Sequence, residues 1–298
     1  MLSKLRHFAC DRRQQPLDSH LDESQLGLLL KEQNVFASNI RRLTGGTLGL
    51  AYSLDIDGRP KVLKTHLITA GGKNIEKEIR LLRFLYAGER EISRLELTDD
   101  QQSRVALLMD ELKYPQREFE PIQIMDLTAQ YTAQFETTAT LDIIAPEDTM
   151  STVFVEGVGA LARLFANHAI SSVTHAEVKK KFAILSEHMN SMPTALCHGD
   201  LGPQNIMCQS DATAVVIDWE DAFWGVEGYD YLYWLTFLRN RKYYTQDILG
   251  RTSLGKEIEM SILLLIVVLK SELSLRMDPE MNRQLSFEQR ITEILALK

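Results

Sequence analysis

Apolar positions along the chain change their period from one region to the next. Between Asp22 and Gln33, Leu26, Leu29 and Leu30 recur at helical spacing, with Asp22 or Ser24 as the N-cap, inside an N-terminal extension covering 1–35. From 40 to 66 the pattern reads strand, turn, strand, turn, strand. Thr44-Gly45-Gly46-Thr47-Leu48-Gly49 is the first turn, and Leu50 to Ile56 alternates as a strand does. Asp57-Gly58 is a hairpin signal, and Lys61 to His66 is the returning strand. Ala70-Gly71-Gly72 then breaks the chain. Asn74 to Leu85 returns to the helical period, with Ile75, Ile79, Leu82 and Leu85 on one face. Ile92 to Leu97 and Val105 to Met109 read as two further strands. Met109 to Tyr114 reads as a connector stopped by Pro115.

Beyond the connector the period is mainly helical: Pro121 to Phe135, Thr149 to His168, His175 to Met189, Tyr229 to Asn240, Glu257 to Leu275 and Ser286 to Leu297. The exception is Thr194 to Asp218, where Asn205 to Cys208 and Ala214 to Ile217 form a small predicted hairpin. A β-rich first region, 1–111, therefore precedes a mainly helical second region, 112–298.

Composition adds constraints. The net charge of −8 argues against a general nucleic-acid binder, which carries a basic excess. Cys10, Cys197 and Cys208 lack metal-ligand spacing, and their low, odd number suits a reducing compartment. The first residues lack the apolar core of a signal peptide. The apolar run Ile262 to Leu269 is far short of the roughly 20 residues that span a bilayer, so a buried helix is expected. A cytoplasmic protein without membrane or nucleic-acid partners is the expectation.

The chemistry concentrates in Cys197-His198-Gly199-Asp200-Leu201-Gly202-Pro203-Gln204-Asn205 and Val216-Ile217-Asp218-Trp219-Glu220. Phosphoryl transfer needs a group that orients the attacking hydroxyl and accepts its proton, and metal ions that neutralise phosphate charge. Asp200 suits the first task; Asn205 and Asp218 offer hard oxygens suited to Mg²⁺. Short acidic residues in loops more often cap turns, so the triplet His198-Gly199-Asp200 alone decides little. The full order, with Lys64 and Glu78 upstream, is what points to a kinase.

HGDLGPQN and IDWEDAFWGVEGYD resemble the aminoglycoside phosphotransferase and choline kinase group, and the likeness runs from Ile40 to Leu238. The resemblance implies an α+β, bilobal protein-kinase-like fold: a small antiparallel sheet with one helix, then a larger helical lobe. It implies that Asp200 is the catalytic base, that Asn205 and Asp218 hold Mg²⁺, that His198 braces the loop, and that Asp230 fixes it. Lys64, in Val62-Leu63-Lys64, resembles the strand lysine that grips phosphates of ATP or GTP, oriented by Glu78; Glu76 is its rival, and the packed helix face favours Glu78. Gly45, Gly46 and Gly49 would lie over the phosphates, although a glycine-rich turn between strands is more often a plain hairpin. Position alone assigns Met109, Glu111 and Leu112 to the adenine-binding connector.

The small-molecule acceptor is less legible. Glu220, Asp221 and Glu227 follow the expected metal ligand and are candidates to bind amines or sugar hydroxyls; for Glu220 that reading and solvation stand level, while solvation is the expectation for Asp221, Glu227, Glu257 and Glu259. The aromatic run Trp219, Phe223, Trp224, Tyr229, Tyr231, Tyr233 and Trp234 reads as core sooner than as a cage for a quaternary ammonium. A protein kinase is a rival reading, weakened because Trp219-Glu220 follows Asp218 where Phe-Gly is needed. A catalytically silent nucleotide-binding module is another, weakened by the full residue set.

Overall fold

The computed structural model describes residues 21–43, 49–66, 72–98, 103–136, 142–209, 213–245, 247–277 and 285–297. Helix α1 (Glu23–Glu32) starts at Asp22, whose Oδ1 accepts the Gln25 N–H at 2.7 Å while the Gln25 side chain accepts the Asp22 N–H. Strands β1 (Ala37–Arg42), β2 (Gly49–Ile56) and β3 (Arg59–His66), helix α2 (Gly72–Leu85), and strands β4 (Ile92–Thr98) and β5 (Ser103–Asp110) follow. Next come α3 (Pro121–Glu136), α4 (Met150–Ala166), α5 (Ser172–His188) and β6 (Thr194–Cys197). A 3₁₀ turn, Pro203–Asn205, leads into β7 (Ile206–Cys208) and β8 (Ala214–Val216); a second, Trp219–Asp221, leads into β9 (Phe223–Val226). The chain ends with α6 (Tyr229–Leu235), a 3₁₀ stretch (Leu238–Thr245), α7 (Lys256–Met277) and α8 (Phe287–Leu295).

Two compact units result: Met1–Gln116 with Gln204–Asp221, and Arg117–Pro203 with Ala222–Lys298. In the first, five strands pair antiparallel in the order β1-β2-β3-β5-β4. Leu50, Tyr52, Leu54, Leu63, Leu97, Ala106 and Leu108 pack on Leu21, Leu26 and Leu30. Strand side chains alternate between faces, so Lys64, next to Leu63, projects on the opposite side of the sheet. Helix α2 buries Ile75, Glu78, Ile79 and Leu82. The β7–β8 hairpin belongs here because Lys113 and Cys208 exchange backbone bonds of 2.9 and 2.7 Å, and the Tyr86 hydroxyl accepts the Val216 N–H at 2.8 Å. The sequence pattern led to one cut after 111; these bonds carry 204–221 back to the first unit.

The second unit is organised on α7, whose residues Glu259 to Leu269 are all buried. A helix apolar all round is a core helix, and no described helix is long and apolar enough to cross a membrane. Glu259, expected in solvent, is fully buried: its carboxylate accepts the Gly250 N–H at 2.5 Å and the Thr252 N–H at 2.6 Å, closing the loop ahead of α7. Strands β6 and β9 pair antiparallel, a sheet the sequence pattern did not suggest. The helix expected over Tyr229 to Asn240 ends at Leu235. There the Thr236 hydroxyl donates to Tyr233 O at 2.6 Å and the Asn240 amide to Trp234 O at 2.7 Å, and the chain tightens to 3₁₀.

Candidate active site

Lys64 sits mid-strand on β3, opposite Ala51 and Leu107. Its Nζ donates to Glu78 Oε2 at 2.7 Å and to Asp218 Oδ1 at 2.6 Å, and it lies 2.8 Å from Glu220 Oε1. The second Glu78 oxygen accepts the Asp218 N–H at 2.8 Å, and the second Glu220 oxygen meets His66 Nε2 at 3.0 Å. Glu76, the rival for Lys64, pairs with Arg94 at 2.8 Å instead. Asp218 holds a left-handed backbone, φ 68°, which Asp tolerates better than most side chains.

The charges are unbalanced, with three carboxylates around one ammonium. Burial alone would lower the Lys64 ammonium, but Asp218, Glu78 and Glu220 together hold it well above its ordinary value. Burial pushes the Glu78 carboxyl up to about 7, against Lys64, and the Asp218 and Glu220 charges add to the rise. Glu220 goes the other way: burial favours its neutral form, yet Lys64 and His66 outweigh it and hold the group below the usual carboxylate range. Oxygens of Glu78, Asp218 and Glu220 lie within 4.8 Å of one another, a hard, over-charged donor set that fits a divalent cation such as Mg²⁺. Asn205, expected as the second ligand beside Asp218, offers an amide oxygen rather than a carboxylate. It is buried in the Pro203–Asn205 turn, and its carbonyl accepts the Ile217 N–H at 3.0 Å, tying that turn to the residue before Asp218.

Gly45 and Gly46 lie outside the described residues. Gly49 opens β2, where an added Cβ would stand 3.4 Å from Thr65 O and 3.8 Å from Lys64 Cε. Met109 is buried on β5. In the connector, the Glu111 N–H donates to Pro60 O at 3.1 Å, so it is already engaged. Leu112 follows, and among the described residues its N–H and C=O make no hydrogen bond.

In the second unit, Asp230 organises the loop that carries Asp200. One Asp230 oxygen accepts the His198 N–H at 2.7 Å and the Tyr131 hydroxyl at 2.5 Å; the other accepts the Gly199 N–H at 3.0 Å. Burial still raises the Asp230 carboxyl above its ordinary value, although these donors and His198 oppose the rise. His198 is fully buried, and its Nδ1 accepts the Asp200 N–H at 3.2 Å. Gly199 takes φ 83°, a conformation that suits glycine. Asp200 accepts the hydroxyl of Tyr233 at Oδ1. In the sequence Tyr233 stands out only as part of an aromatic run; its place three residues after Asp230 on a helix is the available signal.

The acceptor candidates change character. Glu220 is engaged by Lys64 and His66 rather than available for an amine. Asp221, expected in solvent, is 6% exposed. Glu227 accepts the Ser253 hydroxyl at 2.5 Å. Trp219, Phe223, Tyr229, Tyr231, Tyr233 and Trp234 are buried, as core packing demands. Tyr233 and Phe237 do hold a cation, but it is the protein's own Lys270, whose Nζ lies 4.3 and 3.7 Å from the two ring centroids.

Comparison with curated proteins gives no match. Among solved structures, the chain is similar to aminoglycoside phosphotransferase APH(4)-Ia, with TM-score 0.60 and 15% identity over 92% of this chain and 97% of that one. It is similar to spectinomycin phosphotransferase APH(9)-Ia in complex with ADP and spectinomycin (0.61, 14%, 94% and 99%). It is also similar to the microcompartment-associated aminopropanol kinase (0.58, 14%, 92% and 94%). At such identities the likeness establishes the fold, which is kinase-like. A family model, the phosphotransferase enzyme family, matches residues 39–247, a span that contains Lys64, Glu78, Asp200, Asn205, Asp218 and Asp230. The chain therefore belongs to the phosphotransferase enzyme family and is a phosphotransferase.

Proposed function

We propose that the protein is a cytoplasmic small-molecule kinase that transfers the γ-phosphoryl group of ATP or GTP to a hydroxyl of a sugar, an aminoglycoside-like compound or an amino alcohol. The observation that carries this reading is the Lys64 ammonium held between Glu78 and Asp218, partners 14 and 154 residues away in sequence. An ammonium so placed in a β-rich unit binds the α and β phosphates when nucleotide enters. Glu78 keeps it aimed and also orders the backbone N–H of Asp218. The Leu112 backbone groups are suited to the edge of the nucleotide base.

In this mechanism Asp218 and Asn205 would hold Mg²⁺, which would supply charge neutralisation at the phosphate oxygens. Lys64 exchanges part of its contact with Asp218 for phosphate oxygens. Asp200 accepts the proton of the acceptor hydroxyl as that oxygen bonds to phosphorus and the bond to the diphosphate breaks. His198 and Asp230 keep the Asp200 loop fixed. The similar structures support nucleotide use, since they include complexes of APH(4)-Ia with ADP or AMP-PNP and hygromycin B.

The test is nucleoside-diphosphate release over a panel of aminoglycosides, sugars, choline and ethanolamine, with ATP and with GTP. Asp200→Asn is expected to lower turnover by about 10²–10⁴-fold while nucleotide binding by calorimetry persists. Full turnover in that variant removes Asp200 from the mechanism, and nucleotide binding by the wild type without diphosphate release on any acceptor replaces the kinase by a silent nucleotide-binding module.

A further inference from the structure

We propose that Tyr233 is a positioning residue for the Asp200 carboxylate, and that Lys270, Phe237 and Thr236 hold Tyr233 in that role. The proposal rests on the reading of Asp200 as the base. Gly228 is the N-cap of helix α6, and its φ of 76° lets the chain turn sharply into it. Asp230 and Tyr233 are three residues apart, so they share one face of the helix. Both face the same loop and divide the work. Asp230 holds its backbone at His198 and Gly199, and the Tyr233 hydroxyl donates to the Asp200 side chain itself.

A carboxylate otherwise rotates about its last side-chain bond. A donor fixed on Oδ1 sets the plane of the group, and a base works only when held within roughly 10–20° of its productive orientation. Tyr233 is itself fixed. It is 3% exposed, and its ring meets Phe237 at a centroid distance of 6.0 Å. The Lys270 ammonium caps the Tyr233 and Phe237 rings and donates to the Thr236 hydroxyl at 2.8 Å. A cation over a phenol face is attracted by the ring and draws electron density from it, which makes the O–H a better donor. Burial, with the Asp200 charge adding, raises the phenol well above its ordinary value, so it remains the donor.

The deciding experiment is a crystal structure of Tyr233→Phe, with steady-state hydrolysis of MgATP, water serving as the acceptor. The expected result is an Asp200 carboxylate rotated or split between two orientations, while the Asp230 contacts to His198 and Gly199 stay in place. In hydrolysis, kcat is expected to fall about tenfold with KM for MgATP unchanged. Lys270→Met, which leaves the hydroxyl present, is expected to give a smaller fall in kcat, again with KM unchanged. An unmoved, singly oriented Asp200 in Tyr233→Phe overturns the proposal, and so does a rise in KM that matches the fall in kcat. Failure of the base assignment is seen separately, as full turnover in Asp200→Asn.

Discussion

At the scale of single residues, the Lys64 cluster governs how the protein responds to pH. The Glu78 carboxyl is raised from 4.5 to about 7, so across that interval the folded chain binds a proton that the unfolded chain has released. Stability from this group is present below 4.5 and lost as pH rises toward 7. Glu220 has the opposite sign: it is lowered, and its contribution is present above 4.5 and lost as pH falls below it. Glu78→Gln is expected to flatten the decline between 4.5 and 7 in urea midpoints taken across pH 4 to 8, and an unchanged slope counts against the assignment. Lys64→Met removes the one ammonium among three carboxylates and is expected to cost about 3 kcal/mol, read from the same midpoints. At Asp218, with φ 68°, Asn keeps a tolerated left-handed backbone while Ala does not. Asp218→Ala is therefore expected to be less stable than Asp218→Asn by about 1–2 kcal/mol.

At the scale of elements, β9 leaves no room for a side chain at Gly225. A Cβ on Gly225 would stand 2.6 Å from Cys197 Sγ and 2.9 Å from the Phe223 ring, so Gly225→Ala is expected to destabilise by about 1–3 kcal/mol in thermal unfolding. Helices with a cap or an apolar stripe were legible: α1 starts where Asp22 allows it, and α2 follows Ile75, Ile79 and Leu82. The β6–β9 sheet was not legible, because Thr194–Cys197 is four residues long and its partner lies beyond the β7–β8 hairpin. Nor was the end of α6 at Leu235, because its apolar period continues; side-chain bonds from Thr236 and Asn240 end it.

At the scale of the whole molecule, the chain crosses between two units three times, after Gln116, Pro203 and Asp221. Nucleotide binding to the folded state is expected to raise stability by about 2.7 kcal/mol at a hundredfold excess over Kd, visible as a rise of several degrees in Tm. The rise is expected to be larger with MgATP than with ATP alone, because the Glu78, Asp218 and Glu220 oxygens carry surplus negative charge.

The order of Lys64, Glu78, His198, Asp200, Asn205 and Asp218 along the chain carries the reaction class, because phosphoryl transfer needs these groups in small number and distinctive spacing. Periodicity on α2 also selected Glu78 over Glu76, since only one faces the packed side. Three features belonged to the tertiary structure alone: Glu220 against Lys64, Asp221 and Glu259 out of water, and Tyr233 on Asp200. Each depends on which distant segments meet, and spacing records a residue's neighbours along one element but not the partners that folding brings to it.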